Sequence, residues 1–379
     1  MDRIILLGAT GSIGKSTLDV IRNFPDRYQL LGISGYSNLT NLERIIHEFH
    51  PKIVCLKEEK PDLTNKYPDI HFLFGENGLT ELAAVPEGDS LILAVSGIVG
   101  LYPLLKAIEG NKRILSANKE AIVAAGNLIN HKLGMNRKTI IPLDSEHNAI
   151  YQLLKNANRG AVKNIILTAS GGPFLNKPIT KNTAITDVLN HPTWKMGQYI
   201  TVNSATMMNK GFEVIEAHYL FNEPYENIRV LVHPQSLVHG ALELKDGTFF
   251  LAASPSDMRY PIALAMFEPE IPVHPFGKLD LAGKSLDFSE PDLDKFPLLK
   301  MAYECGKAGQ GYPAVLNAAN EKLVELFLKE KIHFTDIPCL LSDVMESYKG
   351  NDWQENSIDA VMSADQYGRD KVNEIYNEL

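Results

Sequence analysis

Two carboxylates, a hydroxyl and an imidazole follow one another in Asp144-Ser145-Glu146-His147, directly after the apolar run Ile140-Ile141-Pro142-Leu143. In extended chain, alternate residues share a face, so Asp144 and Glu146 can turn toward one ion. A third, distant carboxylate such as Glu213 would complete such a site, and a solvated loop is the competing reading. Carboxylate-only ligation selects a hard cation, Mg2+ or Mn2+, over Zn2+. His147 is the one nitrogen ligand close by.

Three further clusters are unusually polar for their settings. SANKEA supplies Asn118, Lys119 and Glu120 after a strand-like run, where a dinucleotide-binding sheet points its loops at the nicotinamide end. An exposed loop with an incidental Lys-Glu pair is the competing reading. VNSATMMNKGFEVIEA (202–217) offers the hydroxyl of Ser204, the amide of Asn209 and the ammonium of Lys210, a donor set suited to a phosphate monoester. If this stretch is helical, Lys210 and Glu213 share a face and form an ordinary ion pair, while Met207 and Met208 read as core. LNHPTWKMGQY (189–199) sets Trp194 and Met196 between Pro192 and Gly197, beside His191. A lid closing an aromatic ring over substrate has this composition; so does a loop packed on its own domain.

ILLGATGSIGKST places Gly8, Gly11 and Gly14 between a first strand and a helix. Glycines let the backbone approach a pyrophosphate, and Thr10, Gly11, Ser12 and Ile13 aim N–H groups at the anion. The second strand ends in GISGYSN, with no acid for a ribose 2′-hydroxyl. Gly35, Tyr36, Ser37 and Asn38 would instead surround a 2′-phosphate, which favours NADP.

These residues need a frame to hold them. The chain has 379 residues, enough for two or three domains, with 45% hydrophobic and 22% charged residues. Short apolar strands at 4–7, 30–34, 53–56, 91–95, 113–115 and 139–141 alternate with amphipathic segments, which means βαβ units and a mostly parallel sheet. One such segment, 40–49, carries capping-box spacing at Thr40 and Glu43. NIILTASGG (164–172) is a strand entering a glycine turn, and 237–254 is a hairpin around Asp246-Gly247. The expected class is α/β: a Rossmann-like NADPH-binding domain at 1–150, and an α+β catalytic and dimerisation domain at 151–268. A proline-rich linker at 269–297 and a helical bundle at 298–379 follow, with Pro313 opening a helix. A net charge of −9 argues against nucleic acid and anionic membranes as partners. No apolar run approaches the roughly 18 residues of a membrane span. Cys55, Cys305 and Cys339 lack ligand or disulfide spacing, so a cytoplasmic protein with reduced thiols is expected, and the opening RIILLG carries no leader pattern.

GATGSIG, SANKE, LDSEH, ASGGPF, HPTWKMG, NSATMMNKGFEVIEA, HPQSLVH and SPSDMRYPI occur in the same order as in the 1-deoxy-D-xylulose 5-phosphate reductoisomerase family, which the sequence resembles from residue 1 to the C-terminal helices. The resemblance implies NADPH- and divalent-metal-dependent rearrangement and reduction of 1-deoxy-D-xylulose 5-phosphate to 2-C-methyl-D-erythritol 4-phosphate. It also implies a homodimer and the use of Mg2+, Mn2+ or Co2+. By residue, it implies Asp144, Glu146 and Glu213 as metal ligands, and Lys119, Ser145, Glu146 and His191 around the reacting substrate oxygens. Ser170, Ser204, Asn209 and Lys210 match the phosphate site with Ser236 close by, and Trp194 and Met196 match the lid. Thr10, Gly11, Ser12, Ile13, Gly35, Asn38, Asn118, Glu120, Gly197 and Met258 match cofactor contacts. One departure stands out. Many members carry Lys or Arg after the glycine matching Gly35, whereas this chain has Tyr36-Ser37, so another cation must reach in or the grip on the 2′-phosphate is weaker. The rival readings are a metal-independent NADP-dependent semialdehyde reductase and a non-enzymatic nucleotide sensor.

Overall fold

The computed structural model describes every residue except 111, 137, 138, 195, 352 and 379. The chain divides into two compact units. The first comprises Met1–Ala121, Asn130–Asn148 and Asp257–Lys278; the second comprises Ile122–Ile129, Ala149–Ser256 and Leu279–Leu379.

Seven parallel strands form the sheet of the first unit: β1 (Asp2–Leu7), β2 (Tyr28–Ser34), β3 (Ile53–Leu56), β4 (His71–Phe74), β5 (Ser90–Leu93), β6 (Arg113–Ser116) and β7 (Ile140–Pro142). They lie in the order β4-β3-β2-β1-β5-β6-β7. Six are the apolar runs read from the sequence. β4 is the strand that reading omits: it lies at the sheet edge with His71 and Phe74 exposed, so it lacks a continuous apolar signal.

Strand order reverses between β1 and β5, which opens a crevice at their carboxyl ends. The glycine loop lies there. Gly8 has φ 89°, and a Cβ on it would come within 2.5 Å of the Ala94 carbonyl oxygen. A Cβ on Gly14 would meet the Gly8 carbonyl oxygen at 2.3 Å, so both positions require glycine. Ser34 pins the loop: its Oγ accepts from the Gly8 N–H at 2.8 Å and its carbonyl from the Ala9 N–H at 2.9 Å. The helix Ser12–Asn23 follows, with Gly11 at its N-cap.

The helix Leu39–Phe49 corrects the capping-box expectation. Asn38 is its cap, accepting from the Asn41 N–H at 3.0 Å, and Thr40 lies inside the helix. Asn outranks Thr as a cap, and Glu43 pairs with Lys66 instead. Asp257–Lys278, which the sequence reading divided between the central domain and the linker, packs within the first unit. There Arg259 of the helix Arg259–Phe267 pairs with Asp19 at 3.0 Å, and Phe267 meets Phe24 edge-on at 4.6 Å.

The second unit holds a mixed sheet of β8 (Val162–Ala169), β9 (Ile228–Val232), β10 (Val238–Leu244) and β11 (Phe249–Ala253), ordered β11-β10-β8-β9. β10 and β11 form the hairpin expected around Asp246-Gly247, where Gly247 takes φ 88°. The helices Gln198–Ala205 and Met208–Phe221 meet at Met207, whose φ of 60° turns the chain sharply between them. Four C-terminal helices, Pro297–Ala308, Tyr312–Leu328, Asp336–Ser347 and Ile358–Glu378, belong to this same unit. A Cβ on Gly211 would lie 2.5 Å from the Ala302 Cβ, so that glycine sets how closely Met208–Phe221 and Pro297–Ala308 approach.

Candidate active site

In the first unit β7 ends at Pro142 and the helix Ser145–Asn156 begins almost at once. Asp144 is its cap. The Asp144 carbonyl accepts from the Asn148 N–H at 2.9 Å, and Oδ1 accepts from the Glu146 and His147 N–H groups at 3.1 Å each. A helix start therefore replaces the extended alternation expected of 144–146. This accounts for Ser145, which strict alternation would turn away: its Oγ donates to the Glu146 carboxylate. The second carboxylate oxygen of Asp144 accepts from the Lys119 ammonium. His147, fully buried, brings Nδ1 to 3.2 Å from Oδ1 of Asp144. Asn148 ties the helix back to the strand through Nδ2 and the Pro142 carbonyl at 2.9 Å.

SANKE is a helix start too, and not an exposed loop. Asn118 is 0% and Glu120 7% exposed. Asn118 donates to the Val95 and Gly97 carbonyls at 2.8 and 2.9 Å and accepts from the Ala121 N–H at 3.0 Å. It thus joins the ends of β5 and β6 while capping the helix Lys119–Asn136. Thr10, Gly11, Ser12 and Ile13 form the turn at the crevice, where the first N–H groups of the helix have no intrahelical acceptor. Gly35 is buried against Leu42. The Met258 carbonyl accepts from the Ile262 N–H at 3.2 Å at the start of Arg259–Phe267.

In the second unit β8 runs into Ser170-Gly171-Gly172, with φ of 82° and 65° at the glycines. A Cβ on Gly172 would stand 2.8 Å from the Ser204 carbonyl oxygen, so glycine is what lets the turn lie against the helix Gln198–Ala205. His191 bridges the two serines, with Nε2 3.1 Å from both the Ser170 and Ser204 hydroxyls. Its Nδ1 accepts from the Thr193 and Trp194 N–H groups at 3.2 and 2.9 Å. A nitrogen accepting two amides carries no proton, so the neutral ring holds its hydrogen on Nε2. The same imidazole shapes the turn that carries Trp194, whose ring lies 6.0 Å from that of His239. Met196 is half-buried and Gly197 caps Gln198–Ala205.

Burial lowers the His191 pKa below its ordinary value of 6.5. The neutral ring is thus the form the fold prefers. Its contribution is intact above pH 6.5 and is lost as pH falls through the lower folded value. A proton NMR titration should place His191 below 6.5, and wild type should lose more stability than His191→Gln between pH 7.5 and 5.5. Parallel stability curves for the two would refute this account.

Two residues beyond Met207, Asn209 donates to Oε1 of Glu213 at 2.5 Å, and the Lys210 ammonium pairs with the other oxygen. Lys210 is 5% and Glu213 1% exposed, so this is a desolvated pair and not the ordinary surface pair the competing reading allowed. Met207 and Met208 are core, as read. Ser236 takes φ 50°, and its buried Oγ has no hydrogen-bond partner among the described residues.

Models of one family match almost the whole chain. The 1-deoxy-D-xylulose 5-phosphate reductoisomerase model matches residues 4–126, its C-terminal domain model 140–221, and the DXP reductoisomerase C-terminal domain model 253–371. A reductoisomerase of that name from Thermodesulfovibrio yellowstonii is 44% identical over 374 residues, covering 97% of this chain and 98% of its own. This chain belongs to the 1-deoxy-D-xylulose 5-phosphate reductoisomerase family. A reductoisomerase from Leptospira interrogans serogroup Icterohaemorrhagiae serovar copenhageni is likewise 44% identical, over 91% of this chain and 90% of its own. A crystal structure of a DOX-P reductoisomerase in complex with NADPH, fosmidomycin and magnesium superposes with TM-score 0.95 at 38% identity, over 100% of this chain and 98% of the other. The enzyme from Zymomonas mobilis in complex with NADPH superposes with TM-score 0.90 at 35% identity, over the full length of both.

Within this reductoisomerase fold, Asn148 lies outside the quoted motifs and His239 ends one of them without a role read for it; both act through contacts made only after folding, and His147 acts as a buried neighbour of Asp144.

Proposed function

We propose that this chain carries out its family's reaction, the NADPH- and divalent-metal-dependent rearrangement and reduction of 1-deoxy-D-xylulose 5-phosphate to 2-C-methyl-D-erythritol 4-phosphate, in isoprenoid precursor synthesis. The observation that carries the reading is a set of three carboxylates, each oriented by donors of its own unit. Lys119 and two backbone amides hold Asp144, Ser145 holds Glu146, and Asn209 with Lys210 holds Glu213. Asp144, Glu146 and Glu213 are the proposed metal ligands. Their chemistry fits a hard cation: all three offer anionic oxygens, and the donors named above fix their orientation. The tight turn at Gly8 and Gly14, where a Cβ would strike the Ala94 and Gly8 carbonyl oxygens, leads into the N-terminus of Ser12–Asn23, whose first N–H groups fit a pyrophosphate.

When bound, the cation supplies Lewis-acid polarisation of the substrate ketone and NADPH supplies the hydride. The chain's residues do the rest. The Lys119 ammonium and Ser145 hydroxyl hold and move protons at the substrate oxygens. Ser170, Ser204, Asn209, Lys210 and Ser236 anchor the phosphate, and their binding energy positions the reacting carbons. His191, holding its hydrogen on Nε2, donates to substrate from the same cluster. Trp194 and Met196 exclude water as the lid closes. The proposed cofactor contacts are Thr10, Gly11, Ser12, Ile13, Gly35, Asn38, Asn118, Glu120, Gly197 and Met258. NADPH oxidation should require both 1-deoxy-D-xylulose 5-phosphate and Mg2+ or Mn2+. Activity undiminished by EDTA would point to the metal-independent reductase.

The assembly we propose is a homodimer. β11 is an edge strand whose Phe249, Phe250 and Leu251 are 44–49% exposed, and an apolar edge of this kind calls for a partner. A second copy covering β11 satisfies it. Phe250→Asp should shift the sedimentation coefficient to that of a monomer; an unaltered dimer would place the interface elsewhere. A cytoplasmic setting fits the three free cysteines. Among the described residues no helix is long and apolar enough to cross a membrane.

A further inference from the structure

The helices Ser12–Asn23 and Leu39–Phe49 border a groove of about 440 Å³ on the first unit. Four cations line it, Lys15, Arg22, Arg44 and Arg259, against two carboxylates, Asp19 and Glu48. Both acids are already engaged. Arg22 lies 2.6 Å from each of them, and Arg259 takes Asp19 at 3.0 Å and Asp257 at 2.6 Å. Lys15 and Arg44 have no carboxylate partner among the described residues. On a chain of net charge −9, this is a local positive excess open to an anion.

Both cations lie close to the start of their helices, Lys15 on the first turn and Arg44 on the second. The Lys15 turn follows the glycine loop directly, and Asn41 and Arg44 follow Asn38, the cap of their helix. The turn at 35–38 holds no cation. Tyr36 spends its hydroxyl on the Gly75 carbonyl at 2.8 Å, and the Asn38 side-chain oxygen caps its helix. The groove thus holds positive charge that no carboxylate engages, on the two helices that follow the glycine loop and the turn at 35–38.

We propose that Lys15 and Arg44, with Asn41 on the same groove wall, bind the 2′-phosphate of NADPH and set its preference over NADH. The assignment rests on the NADPH reading above. A planar guanidinium and an ammonium on two helices match a phosphate's several anionic acceptor oxygens, whereas a 2′-hydroxyl offers them one neutral acceptor and no charge.

The test is calorimetric titration of the full chain, without substrate, using NADPH, NADH and 2′,5′-ADP. The variants are Lys15→Met, Arg44→Met and, as a control, Arg22→Met, whose charge the groove acids already engage. Lys15→Met and Arg44→Met should each weaken NADPH and 2′,5′-ADP about tenfold while leaving NADH unchanged. The salt dependence of NADPH binding should also flatten. Unchanged circular dichroism melting would show that the variants fold. Equal losses for NADPH and NADH, or none for NADPH, overturn the assignment. A wild type that prefers NADPH while both variants keep that preference overturns this assignment alone. A wild type that binds neither nucleotide overturns the cofactor reading together with it.

Discussion

Glu213→Gln should lower kcat by about two to three orders of magnitude while leaving NADPH affinity unchanged. Glutamine preserves the shape of the side chain and one acceptor oxygen, so one of the two donors, Asn209 or Lys210, keeps its acceptor while the other faces the new amide NH2 group. What it removes is the charge that a hard cation needs, at a position only 1% exposed where water offers little substitute. The nucleotide contacts proposed for the glycine loop come from other residues, so cofactor titration should be unaffected. Turnover against Mg2+ concentration separates weaker metal binding from slower chemistry. Near-normal turnover at ordinary Mg2+ would take Glu213 out of the ligand set.

Lys210→Ala should raise the KM for the phosphorylated substrate about a hundredfold, with a smaller fall in kcat. The proposed role of Lys210 is remote from the bonds that change, so its contribution is felt in binding. The variant should also be less stable. Lys210 and Glu213 are 5% and 1% exposed, and removing the ammonium of a desolvated pair costs about 3 kcal/mol. A divalent cation at Glu213 would restore part of that loss, so the melting temperature of the variant should respond to Mg2+ more than that of wild type. An unchanged KM would count against a phosphate role for Lys210. A wild-type-like response to EDTA would separate the residue from the metal.

The parts of this molecule legible in its sequence are those fixed by local pattern. Continuous apolar strands gave the parallel sheet, and glycine spacing gave the loop at the β1/β5 crevice, because each signal lies within about ten residues. β4 escaped because an edge strand with two exposed residues has no apolar run to detect. The Asp144 cap escaped for a different reason: Asp-Ser-Glu is compatible with extended chain and with a helix start. The tie from Asn148 to Pro142 is one of the contacts that accompany the choice. Asn38 outcompeting Thr40 was a contest between two acceptable caps. Domain boundaries were least legible, since Asp257–Lys278 joins the first unit through contacts as distant in sequence as Arg259 with Asp19.

The turn at Met207 has a consequence for selectivity by length. It starts a fresh helix in which Asn209, Lys210 and Glu213 stand on one turn, about 5 Å of rise, braced by the close approach at Gly211. With the phosphate and metal roles proposed for them, that single rigid turn works as a gauge. On that proposal it would couple the place of a sugar's phosphoryl group to that of its chelating oxygens, since Asn209 and Lys210 both bond to Glu213. On the same proposal, a ketose phosphate one carbon shorter or longer would satisfy one end of the gauge or the other, while a substrate of matching length would satisfy both.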